Sequence, residues 1–120
     1  MLKQRLNSFK YAFNGIRELI RSQPNAKIHL FLALLAIIAG FYFQVSLCEW
    51  CILTLCICSV LTAEAFNTAL EYLTDLVSPE YHVLAGKVKD VAASAVLITA
   101  IAAFICGLII FIPKIISHFL

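Results

Sequence analysis

Three apolar runs, at residues 28–45, 50–63 and 91–112, decide what this chain can fold into, because each needs surroundings free of water. At about 1.5 Å per residue, the first and third are long enough to cross a hydrocarbon layer of about 30 Å. The second reaches that length only with its mixed extension to residue 77. Hydrophobic residues make up 62% of the 120 and charged ones 13%, whereas a soluble domain is about half apolar. The chain therefore reads as an all-α membrane protein. A cleaved secretory leader would show one short apolar stretch near the start, but here the first run begins near residue 28 and two more follow, so the N-terminus is expected to be retained. With no repeat or linker, one domain over 1–120 is expected: a surface helix at 1–23, spans at 27–46 and 49–77, and an interfacial turn with the third span at 79–112.

Basic residues set the expected orientation. Lys3, Arg5, Lys10, Arg17, Arg21 and Lys27 precede the first span, and Lys87 and Lys89 lie between the second and third. The link after the first span carries only Glu49. The excess of Lys and Arg on cytoplasmic segments then places the N-terminus and the second link inside, and three spans put the C-terminus outside. Lys114 is the one basic residue on the outer side and counts against that assignment. In the leading segment Leu2, Leu6, Phe9, Phe13, Ile16 and Ile20 recur at steps of four and three, bordered by Lys3, Lys10, Arg17 and Arg21. This is the pattern of an amphipathic helix lying among the headgroups of the inner leaflet, held by apolar burial and by attraction to anionic lipid. Pro24 ends it.

The stretch "AEAFNTALEYLTD", residues 63–75, breaks the apolar character of the second span. At about 100° per residue, Glu64, Asn67, Thr68, Glu71 and Asp75 fall in one stripe about 100° wide, with Ala65, Ala69, Leu73 and Leu76 opposite. In a membrane such a stripe should face the bundle interior or a water-filled cleft. Counted from Trp50 at the outer boundary, Glu64 lies about 21 Å along and Glu71 about 32 Å along, so the stripe straddles the inner interface. A water-soluble anion can approach Asp75 and Glu71 while a lipid headgroup approaches Glu64. An intramembrane carboxylate costs about 2.5–3.5 kcal/mol at a span centre, which argues against a bystander. Glu64 therefore suits a general base or a proton carrier.

Further along, "SPEYHVLAGKVKD", residues 78–90, opens with a Ser78-Pro79 turn that resembles a helix start. Lys89 and Asp90 then reach the inner interface, near Glu71 and Asp75 if the two helices pack antiparallel. Cations beside carboxylates at that depth suggest a site for an anion and a metal. Carboxylates hold Mg²⁺ together with substrate phosphates. No glycine-rich phosphate loop is present, so side chains and helix ends must bind any nucleotide. Of the five cysteines, Cys48 and Cys51 have C-x-x-C spacing, but no second pair or His cluster completes a zinc site, and the others sit in apolar runs as small hydrophobes.

The segment "AEAFNTALEYLTDLVSPEYHVLAGKVKDVAASAVL" resembles the signature of the small prokaryotic diacylglycerol kinase and undecaprenol kinase family: E-x-x-N-[ST]-A-[ILV]-E-x-x-x-D, then S-x-E-Y-H, then K-D ahead of the last span. "NAKIHL" before the first span and Glu49-Trp50 before the second fit the same family. The resemblance implies an ATP- and Mg²⁺-dependent kinase that phosphorylates a membrane lipid alcohol in the bacterial inner membrane. It also implies a homotrimeric bundle with sites shared between subunits. Carried over by position, Glu64 matches the general base and Glu71 a metal ligand. Asn67 and Lys89 match positions near the transferred phosphate, and Asp75, Lys87 and Asp90 nucleotide-contacting ones. The expected partners are ATP, the lipid alcohol and the bilayer, with no nucleic acid.

One position departs from the family. A Glu that helps hold metal and nucleotide is usual where this chain has Gln23, a neutral and weaker oxygen ligand. The departure implies weaker Mg²⁺ binding, substitution by another carboxylate, or reduced activity in a kinase that still works. "DLVSPEYH" and the K-V-K-D-V-A-A run look closer to the undecaprenol branch than to the diacylglycerol branch. The competing reading is a small proton-coupled transporter with Glu64 as proton carrier. It accounts for one buried Glu, but has no need of Asn67, Glu71, Asp75, Lys89 and Asp90 at one interface.

Overall fold

The computed structural model describes all 120 residues as four helices: α1 (Leu2–Ser22), α2 (Pro24–Tyr42), α3 (Leu47–Val77) and α4 (Val83–Phe119). The last three are each long and apolar enough to cross a membrane. At about 1.5 Å per residue, α3 and α4 both exceed a 30 Å hydrocarbon layer, so their polar ends extend beyond it. α3 packs along α4, α2 touches α3 over a shorter stretch, and α1 is peripheral. Only 14 of the 120 residues are buried, while side chains such as Phe31, Leu55, Phe66 and Phe104 point outwards. Such exposure is tolerable only where the surrounding solvent is itself hydrocarbon or another helix.

Each break in the chain has a local cause. Gln23 is extended (φ −110°, ψ 112°), because the following proline disfavours helical backbone at the residue before it. Pro24 then occupies the first turn of α2, where a missing N–H costs nothing. The helix occupies only part of the expected span at 27–46, since residues 43–46 turn the chain. There the Val45 N–H donates to the Gly40 carbonyl and the Gln44 N–H to that of Phe41. This is a Schellman closure, and it requires Gln44 at φ 50°. A side chain is strained there and glycine is not. Gln44→Gly is therefore expected to stabilise the protein by about 0.5–1 kcal/mol, read as a higher thermal midpoint in detergent.

α3 starts at a reciprocal cap: the Glu49 N–H donates to Ser46 Oγ, and the Ser46 N–H donates to Glu49 Oε2. On α2 the buried residues are Ala26, Ala33 and Gly40, seven apart and on one face. Their small size lets the helix backbone approach α3 closely. A Cβ on Gly40 would lie 2.6 Å from the Trp50 ring, so the indole rests directly on that backbone. Val45, Leu53 and Ile110 form the small core at this end, flanked by Trp50 and Phe111.

The third long helix differs from its expected outline. α4 starts at Val83, not at Ser78-Pro79, because Ser78 caps the end of α3 and its Oγ donates to the Glu80 carbonyl. The cap is His82, whose Nδ1 accepts from the Leu84 N–H. At the other end the helix continues through Pro113 to Phe119, beyond the expected limit of 112. Contacts to the preceding turn hold this extension: Lys114 Nζ donates to Glu49 Oε1 (2.9 Å), and the Tyr42 hydroxyl lies 3.0 Å from His118 Nε2. The lone basic residue at this end is thus neutralised within the fold.

Candidate active site

The polar stripe of α3 turns inward. Glu64 is 1% exposed and has the only fully buried side chain of its size, Thr68 is 4% exposed and Asn67 8%. Ala65, Ala69, Leu73 and Leu76 on the opposite side are exposed. Along the helix the burial falls off: Glu71 is half-buried, and Asp75 is exposed. One face thus grades from a dry interior to the water-accessible end of the helix.

The neighbouring helices complete this face. Asn67 Nδ2 donates to Glu71 Oε1 (3.3 Å), which leaves the carboxylate its second oxygen. Lys89 on α4 donates to Asp75 Oδ1 at 2.6 Å, confirming the antiparallel approach expected for the two helices. The side chains of this pair are 42% and 62% exposed, and such pairs contribute at most about 1 kcal/mol, so little energy opposes the separation of Lys89 from Asp75. Lys87 and Asp90 are exposed at the same end of α4. Gln23 is half-buried at the α1–α2 break, where its backbone caps both helices.

Two contacts escaped sequence reasoning. His29 of α2 brings its Nε2 to 3.3 Å from Glu64 Oε1. The alignment falls short of a hydrogen bond, and Glu64 Oε1, Asn67 Oδ1 and Thr68 Oγ1 all remain buried without a partner. A lone imidazole within an apolar span, at the depth of the one intramembrane carboxylate, was the available signal. The second is Tyr72, whose hydroxyl lies 3.0 Å from both Glu18 Oε1 and Ser22 Oγ, tying α1 to α3. Tyr72 neighbours the stripe without belonging to it, and only the placement of α1 reveals its role.

The donors available for a metal are oxygens: the carboxylates of Glu71 and Asp75 and the amide of Gln23. No three His, Cys, Asp or Glu side chains converge into a cage. That set fits Mg²⁺, which takes one or two carboxylates and completes its shell with waters and substrate phosphates. Of these, Glu71 keeps one oxygen free of the Asn67 contact.

Comparison with known proteins agrees with this arrangement. The sequence profile described as prokaryotic diacylglycerol kinase matches residues 10–111. The undecaprenol kinase of Bacillus subtilis (strain 168) is 39% identical over 113 residues, covering 94% of this chain and 92% of that protein. A diacylglycerol kinase of Synechocystis is 40% identical over 113 residues, covering 93% of this chain and 65% of its own length. The diacylglycerol kinase of Escherichia coli (strain K12) is 30% identical over 95 residues, or 79% of this chain and 78% of the relative. These findings give the transporter reading no support. The inward carboxylates, the cation beside them and the near full-length match agree: the chain belongs to the prokaryotic diacylglycerol kinase family and is an integral-membrane lipid kinase.

Proposed function

We propose that the protein transfers the γ-phosphate of Mg-ATP to the hydroxyl of a membrane lipid alcohol at the cytoplasmic face of the bacterial inner membrane. Undecaprenol is the preferred acceptor, giving undecaprenyl phosphate; diacylglycerol, giving phosphatidic acid, is the lesser one. The observation that carries this reading is the graded face of α3, from fully buried Glu64 to exposed Asp75 facing Lys89. It offers a base at lipid depth and charge-bearing groups at nucleotide depth. The acceptor preference is supported by the "DLVSPEYH" segment and by likeness to an undecaprenol kinase over nearly the full length of both chains.

In this scheme the lipid hydroxyl is held against Glu64, which takes its proton as the oxygen attacks the γ-phosphorus. ADP leaves as the bond to the β-phosphate oxygen breaks. Asn67 positions the transferred group, Lys89 leaves Asp75 to neutralise phosphate charge, and Lys87, Asp75, Asp90 and Gln23 contact the nucleotide. Glu71, with help from Gln23, would hold Mg²⁺, which would supply positive charge to offset that of the phosphates. Catalysis of this kind rests on positioning and charge neutralisation, with no covalent enzyme intermediate. The N-terminus is cytoplasmic, α1 lies along the inner leaflet with Phe9, Phe13 and Ile16 in the lipid, and three copies assemble so that sites are shared. The outward apolar faces of all three long helices support such assembly.

Purified protein given radiolabelled Mg-ATP with undecaprenol and diacylglycerol side by side tests the proposal. Label should enter both lipid pools, undecaprenol faster. Unlabelled lipid defeats the kinase reading, and equal rates defeat the preference.

A further inference from the structure

Ala26 and Ala33, 0% and 9% exposed, flank His29 by three and four positions and let α2 approach α3 closely. The imidazole is therefore delivered from a second helix to 3.3 Å from Glu64 Oε1, the one group of opposite charge type within 4 Å of that carboxylate. No polar group of α3, Thr68 included, hydrogen-bonds that oxygen. Asn67 spends its amide N–H₂ on Glu71, and Asn67 Oδ1, like Glu64 Oε1 itself, is a buried acceptor without a donor. His29 is 20% exposed in its side chain, and it also lines an apolar cleft of about 410 Å³ between α2, α3 and α4, with Leu32, Val60 and Phe104 among the walls. It is the only ionisable nitrogen in that lining, and Glu64, not itself a wall of the cleft, lies 3.3 Å from the ring.

Building on the lipid-kinase reading, we propose that His29 is a positioning residue for the phosphoryl-transfer reaction: its ring nitrogen, 3.3 Å from Glu64 Oε1, closes to a hydrogen bond in the working complex and so fixes the carboxylate with one oxygen towards the acceptor hydroxyl. The proton of the hydroxyl still passes to Glu64, and His29 ends the cycle in the state in which it began. A base held by one partner in a dry site loses rate when that partner goes, because the carboxylate then samples orientations that miss the hydroxyl.

The test compares His29→Gln, whose amide can place a nitrogen where Nε2 lies, with His29→Phe, which keeps a ring and loses the nitrogen. Full-length protein in detergent with undecaprenol and Mg-ATP is used for kcat and for the KM of ATP. His29→Phe is expected to lower kcat at least about tenfold with the KM of ATP unchanged, and His29→Gln to stay within about threefold of the parent. Should His29→Phe not be recovered folded, His29→Leu replaces it. Equal loss in the Gln and Phe variants, no loss in either, or a rise in the KM of ATP overturns the proposal, since each indicates packing and not a positioned nitrogen. If the parent protein phosphorylates no lipid alcohol, it is the kinase reading that has failed, and the variants are not needed to see it.

Discussion

Glu64→Gln is expected to lower kcat for lipid phosphorylation by about 10²–10⁴, while the folded protein and its ATP binding survive. Gln keeps the size and one oxygen of the side chain but cannot take a proton. The residue is 1% exposed, so solvent cannot stand in as base as it could at an open site. Removing the carboxylate also removes the cost of a buried charge, so the thermal midpoint should hold or rise. These two directions separate catalysis from structure. If Glu64 served only to hold α2 against α3, the variant would lose stability and retain most of its turnover. The measurement is therefore paired: initial rates with saturating Mg-ATP, and thermal unfolding of the same preparation. A variant that melts early but keeps more than about a tenth of the parent rate rejects the base assignment.

Much of this site was legible because helical periodicity is a strong constraint inside a membrane. A 100° step fixes which side chains share a face, and the hydrocarbon penalty fixes which way a carboxylate points. The shared inward face of Glu64, Asn67, Glu71 and Asp75 follows from those two facts, and the pairing of Asp75 with Lys89 follows from α3 and α4 running antiparallel. The ends of elements were less legible. Ser78-Pro79 has the residues of a helix start, yet Ser78 caps α3 and closes a turn onto Glu80, leaving His82 to cap α4. Helix-start residues also suit a helix exit, and only the neighbouring hydrogen bonds decide. Pro113 likewise does not end α4, because Lys114 and His118 anchor the following turns on Glu49 and Tyr42. His29 was hidden for a different reason: its partner is 35 positions away, and no local pattern in α2 reports how closely α3 approaches.

Glu71 is the other residue whose loss should be severe. Its carboxylate is half-buried, one oxygen already accepts from Asn67, and the second is left for a cation. Glu71→Gln keeps the amide contact but removes the charge proposed to hold Mg²⁺. By analogy with the removal of one charge-stabilising group elsewhere, kcat/KM should fall about 10²–10³-fold. The Mg²⁺ concentration for half-maximal rate should rise as well, so excess Mg²⁺ restores part of the activity. A purely structural Glu71 predicts the fall without the shift in Mg²⁺ dependence. Gln23 supplies the opposing variant: Gln23→Glu adds a carboxylate at a half-buried position on the α1–α2 break, and should lower the Mg²⁺ requirement if this residue meets the metal as proposed. A Gln23→Glu variant with unchanged Mg²⁺ dependence would mean that this break does not reach the metal, leaving Glu71 and the phosphates themselves to hold it.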